Sequence, residues 1–117
     1  MKLSFSKIHF VCLLFISLFF QSAVADENDY APYPKPDAGY VSDHADLLSD
    51  DEETRLERWL LQVEKKSNVE IIVVTIRSLS DYEGTENRSV ESFATALFNR
   101  YAIGNIPKND GVLLLIS

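Results

Sequence analysis

Two short stretches of this chain carry side chains that could do chemistry. Asp43, His44 and Asp46 lie in the first; Lys108, Asn109 and Asp110 lie in the second, just ahead of Gly111 and the apolar run Val112–Ile116. A calcium site takes roughly six to eight oxygen ligands. Asp43, Asp46, Asn109, Asp110 and a backbone carbonyl or two supply part of that set, provided the fold brings the two stretches together. The same residues also have a simpler use. Asp43 can cap or turn the backbone, and Asn-Asp-Gly is a good turn sequence in its own right. Metal-assisted phosphate hydrolysis asks for more: an open coordination position, a nucleophile, and cations facing the phosphoryl oxygens. Asp110 offers a nucleophile or metal ligand and Lys108 a phosphate contact. The sequence has no glycine-rich phosphate loop, no histidine-rich cluster and no Gly-x-Ser-x-Gly elbow.

These residues must be positioned by a small domain, for the chain has 117 residues. Its start reads as a secretory signal peptide over residues 1–25. Lys2 and Lys7 give a positive beginning, Phe10–Phe20 is apolar apart from Ser17, and Ala23-Val24-Ala25 is a small-x-small cleavage pattern. The apolar run falls short of the roughly 18 residues or more that a membrane span needs. The expected location is therefore exported: periplasmic, secreted or envelope-associated, with no span in the mature chain. Loss of Lys2 and Lys7 with the leader takes the formal charge from −7 to −9. Such an acidic balance disfavours nucleic acid and anionic membranes, and suits divalent cations or basic partners, although solubility alone explains most of it. Cys12, the single cysteine, lies in the leader, so the mature chain has neither a disulfide nor a thiol nucleophile. His44 is then the only histidine, and a lone histidine is more often incidental than catalytic.

Residues 26–39 read as a Pro-rich linker, with Pro32, Pro34 and Pro36 at alternate positions. The folded domain is expected over residues 40–117. Its opening, Tyr40–Leu48, is too mixed to read as helix or strand. Ser49 and Glu52 form a capping box for a first helix, and Asp50–Glu53 place acid at its positive end. Leu56, Trp59, Leu60 and Val63 make its buried stripe, and Asn68 ends it. Glu70–Ile76 reads as a strand covered on both faces. A second helix runs from about Ser89 to Tyr101 with a stripe from Val90 through Phe93, Ala94, Leu97 and Phe98, and Gly104 placed to end it. The triplet Asn87-Arg88-Ser89 matches an N-glycosylation pattern, but its better use is local capping. Val112–Ile116 reads as a second strand buried on both faces. Strand, helix and strand make a right-handed crossover with parallel strands. The predicted fold class is α/β: a three-layer αβα sandwich with a small, mostly parallel sheet. Two strands do not make a stable sheet, so the chain is expected to hold the front part of a domain, truncated after its second confident strand. A truncated, non-functional fragment is one reading of that.

The order of these motifs resembles the TPM domain family. It is carried by Val41-x-Asp43-x-Ala45-x-Leu47-Leu48-Ser49, the capped helix, the strand into Arg77-Ser78-Leu79, the Phe93–Gly104 helix and the closing Lys108–Ser117 stretch. The resemblance covers Tyr40–Ser117. It implies an αβα sandwich with a sheet of about four strands, acidic metal positions at Asp43, Asn109 and Asp110, and calcium or another divalent cation as ligand. Many relatives carry Asp-Asn-Gly where this chain has Asn-Asp-Gly. Family members include acid-phosphatase-like proteins and accessory factors with envelope or membrane-protein partners. The expected function is an exported divalent-cation-binding accessory domain, with a metal-dependent phosphatase-like hydrolase as the rival. One geometric tension precedes any structure. Ligands of open α/β sheets gather at the carboxyl ends of strands, whereas the Lys108–Gly111 turn lies at the amino end of its own.

Overall fold

The computed structural model describes residues 30–117; the signal peptide predicted for residues 1–25 and the linker before Tyr30 lie outside them. The first element is a short strand, β1 (Val41–Asp43), in the stretch that the sequence left unassigned. Helix α1 (Asp50–Ser67) follows, and both halves of its predicted capping box form: Ser49 accepts from the Glu52 N–H, and Glu52 accepts from the Ser49 N–H. Asn68 ends it in the left-handed conformation, φ 60°. Replacing Ser49 by Ala is expected to destabilise the domain by about 1 kcal/mol, measured as a lower urea midpoint with an unchanged slope.

Strand β2 (Glu70–Thr75), helix α2 (Val90–Tyr101) and strand β3 (Gly111–Ile116) complete the order. Ser89 is the N-cap of α2, and Asn87 donates to the Tyr82 carbonyl, so the Asn-Arg-Ser triplet is used for local structure. The left-handed residue that ends α2 is Ala102 (φ 52°) rather than Gly104. All three strands are parallel in the order β1-β2-β3, with Val41 beside Val73 and Ile71 beside Val112.

Alternation along β2 divides the core between two faces. Ile72, Val74 and Ile76 pack with Phe93 and Leu97 of α2, and Leu113 and Leu115 of β3 lie against them. Val73 faces the other way and packs with Val41 and Leu60 beneath α1. The chain is thus an α/β sandwich with one helix on each face.

Tyr30–Gly39 is not a free tether. Pro34 is buried, the Tyr33 ring lies 5.2 Å from that of Phe93, and the Tyr101 hydroxyl donates to the Pro34 carbonyl at 2.7 Å. Arg100 donates to the Ala31 carbonyl at 3.1 Å and stacks over the Tyr33 ring. The Asp37 N–H reaches Ser42 of β1 at 2.9 Å. This strap covers β1 on the face where α2 covers β2 and β3. Proline stiffness, read from sequence as a linker trait, here lowers the entropy lost when the segment lies down.

The second departure is β3. Its residues alternate between half-buried and exposed, so only one face is covered among the described residues. Val112, Leu114 and Ile116 remain 46%, 51% and 42% exposed, and Trp59, predicted to be core, is 60% exposed.

Candidate functional site

Asp43 is the last residue of β1, pairing with Thr75 at the carboxyl end of β2. Its carboxylate gathers the loop into α1. Leu47 and Leu48 donate their N–H groups to it at 3.1 and 2.8 Å, and the Thr75 hydroxyl donates to the same group. The Thr75 oxygen also accepts from the Ala45 N–H at 3.1 Å, tying the loop to β2. Burial alone pushes the Asp43 carboxyl up. The hydrogen bonds from Thr75, Leu48 and Leu47, with the nearby His44, outweigh that and hold it below the ordinary carboxylate range. Asp46 stands exposed in the left-handed conformation, φ 55°. The His44 Nε2 is buried without a hydrogen-bond partner.

Asn109 and Asp110 sit at the other end. Gly111 pairs with Glu70, the first residue of β2, so the register separates Asp43 from Asp110 by the length of that strand. At about 3.3 Å per residue the gap is on the order of 17 Å. One ion cannot be ligated by both. Asn109 takes the left-handed conformation (φ 57°), its N–H donates to the Asn105 carbonyl at 2.6 Å, and the Asp110 carbonyl accepts from the Glu70 N–H at 3.1 Å. The turn therefore closes the amino end of the sheet with its backbone. Among the described residues the Asp110 carboxylate makes no hydrogen bond, and Lys108 is exposed. The tension between sheet geometry and turn position is thus real in three dimensions, and Asp43 holds the carboxyl end.

A third acidic group escaped sequence reading. Glu57 accepts from the N–H groups of Tyr40 (2.9 Å) and Val41 (2.7 Å), anchoring β1 to α1. Glu64 accepts from the Tyr40 hydroxyl and, at 2.8 Å, from the Asn105 amide, while Glu70 accepts from the Gly104 N–H at 2.6 Å. These three carboxylates are spent on joining elements. Helical spacing puts Glu57 and Glu64 on one flank of α1, the only signal that hinted at a shared task. The hydrogen bond to Glu64, then burial, then the charges of Glu64, Glu70 and Glu57 push the Tyr40 hydroxyl up to about 12 from an ordinary 10. A pKa raised on folding contributes stability that is complete below the unfolded value and lost as pH rises through the folded one. Stability should therefore fall between about pH 10 and 12, and Tyr40→Phe should flatten that part of the pH profile, read by thermal melts across the range.

Among the described residues no three histidine, cysteine, aspartate or glutamate side chains group closely enough to hold a metal ion. No described helix is long and apolar enough to cross a membrane.

Parallel strands, crossover helices on opposite faces and an acid-anchored loop at the carboxyl end of β1 define a small αβα domain. The TPM domain family model matches residues 41–117, running from the first residue of β1 to the end of β3. The chain belongs to the TPM domain family. No curated protein matches it.

Proposed function

We propose that this TPM domain is an exported accessory factor at the cell envelope, which holds a divalent cation at the loop following β1. One observation carries the reading. The Asp43 carboxylate is kept ionised at the carboxyl end of the sheet, the edge where ligands of open α/β sheets gather. Two N–H groups and a hydroxyl orient it, and a carboxylate retains lone pairs for a cation beyond those bonds. Asp46 and the backbone carbonyls of the loop supply further oxygens; Asn109 and Asp110 would serve a separate, weaker site. Calorimetry with calcium, on the chain and on Asp46→Asn and Asp110→Asn variants, tests this. Heat lost in Asp46→Asn but retained in Asp110→Asn is expected. No heat with the unaltered chain would remove the cation reading.

A phosphatase-like hydrolase is the second reading, favoured by the unpartnered His44 Nε2 beside Asp43. An imidazole there is the one group near the loop suited to carry a proton. Turnover of a chromogenic aryl phosphate, abolished by His44→Gln, supports it. Absence of turnover with every divalent metal tried removes it.

A further inference from the structure

Two helices and a strap leave one part of the sheet uncovered. Helices pack about 10 Å apart and strands about 4.8 Å apart, so one helix covers two strands. On the α2 face, α2 lies over β2 and β3, and the strap closes β1. On the α1 face, α1 lies over β1 and β2. Nothing among the described residues plays the strap's part over β3. A groove of about 280 Å³ results, bounded by Leu56, Trp59 and Leu60 on one side and Leu114 and Ile116 on the other.

The edge of β3 says what kind of molecule fits. The Asp110 and Ile116 carbonyls accept from Glu70 and Ile76, so even-numbered residues of β3 turn their backbone groups towards β2. Gly111, Leu113 and Leu115 therefore turn theirs outward. No charged side chain or proline interrupts Gly111–Ile116, the devices that usually guard an edge. A row of backbone donors and acceptors at strand spacing is satisfied by another strand. A lipid or a flat ligand would cover the apolar face and leave the edge unpaired.

Spacing and charge narrow the partner further. A second copy pairing β3 to β3 would set the two α1 helices about four strand widths apart, roughly 19 Å. That is twice the helix packing distance, and the trough between them stays open. A strand followed by its own helix places that helix one packing distance from α1. The flank of α1 that it meets is basic. Arg55 and Lys66 sit four residues before and seven after Trp59, on its side of the helix. Glu57 and Glu64 point instead towards β1.

We propose that the β3 edge and the Trp59 groove together form a docking site for a strand-plus-helix segment of a partner polypeptide. Its strand extends the sheet beside β3. Its helix lays an apolar stripe on Trp59, Leu114 and Ile116 and presents carboxylates to Arg55 and Lys66. The inference does not depend on the cation reading.

The single tryptophan makes the test direct. The probe is a synthetic peptide with an alternating Val/Thr strand, a turn, and a helix bearing a leucine stripe flanked by glutamates. Titrated against the chain, it should shift Trp59 emission to the blue and slow hydrogen exchange at the amides of Leu113 and Leu115. Arg55→Glu, a surface change that leaves folding intact, should weaken binding about threefold, and Leu114→Lys should abolish it. A peptide with lysines for glutamates should bind more weakly than the original. A blue shift without amide protection would mean unspecific apolar contact and overturn the proposal. So would Leu113 and Leu115 amides already protected in a peptide-free dimer, or no response at all.

Discussion

Gly111→Ala is expected to be the most damaging single methyl addition in the domain, lowering stability by about 3 kcal/mol. The reason is space and not backbone freedom. A Cβ at this position would stand 2.8 Å from the Gly104 nitrogen and from the carbonyl carbon and oxygen of Ile103. All three are backbone atoms, fixed by the end of α2 and by the Glu70 carboxylate on the Gly104 N–H. Neither side can give way cheaply. Ile103 is itself buried in the α2-side core, so a shift there would disturb Phe93 and Leu97. For a domain of this size 3 kcal/mol corresponds to roughly 12 °C or more in Tm. A melting temperature within about 2 °C of the parent would show that the close approach relaxes harmlessly.

Asp43→Ala should cost about 2 kcal/mol, because it leaves the Leu47 and Leu48 N–H groups and the Thr75 hydroxyl without their common acceptor. The loop is partly solvated, and water recovers some of each bond. The pH dependence follows from the direction of the shift. A carboxyl whose folded pKa is depressed contributes stability that is present above its unfolded value, ordinarily 3.8. That stability disappears as pH falls through the lower folded value. Melts of the parent between pH 6 and pH 3, bracketing that value, should show a decline below about pH 4, and Asp43→Ala should lack part of it. An equal slope in both proteins would assign the acid sensitivity to other carboxylates. If Thr75→Val reproduces half or more of the Asp43→Ala loss at neutral pH, the hydroxyl is confirmed as the chief partner.

What could be read in advance was local. Ser49, Glu52 and Asn68 mark the ends of α1 because capping acts within a turn of the chain. The β-branched run of β2 and the stripe of α2 announce themselves through periodicity, and the crossover rule then makes the strands parallel. Strand β1 was hidden because its three residues are too few to show a period, and its pairing is with Val73–Thr75, far along the chain. The strap was hidden because proline alternation describes a conformation and says nothing about where it docks. Trp59 and the exposed face of β3 show the opposite failure. An apolar residue signals that burial is favourable, not that a covering element is present. As for the acidic positions, sequence order placed Asp43 and Asp110 in one motif list, while the register of β2 sets them at opposite ends of the sheet. Glu57 and Glu64 were missed because carboxylates on an amphipathic helix look like solvated surface until a partner's N–H or hydroxyl meets them.

The wiring of the sheet carries a kinetic consequence. Both strand pairings join residues roughly thirty to forty positions apart, and no hairpin links adjacent strands. A chain built this way has no short route to its first strand pair. Loops must close before any ladder forms, which puts folding towards the slow end for small domains, from milliseconds to seconds. Stopped-flow refolding monitored at Trp59 would measure it. For a chain that is to be threaded through a translocon, such slowness is useful, because it keeps the polypeptide pliable until it has crossed.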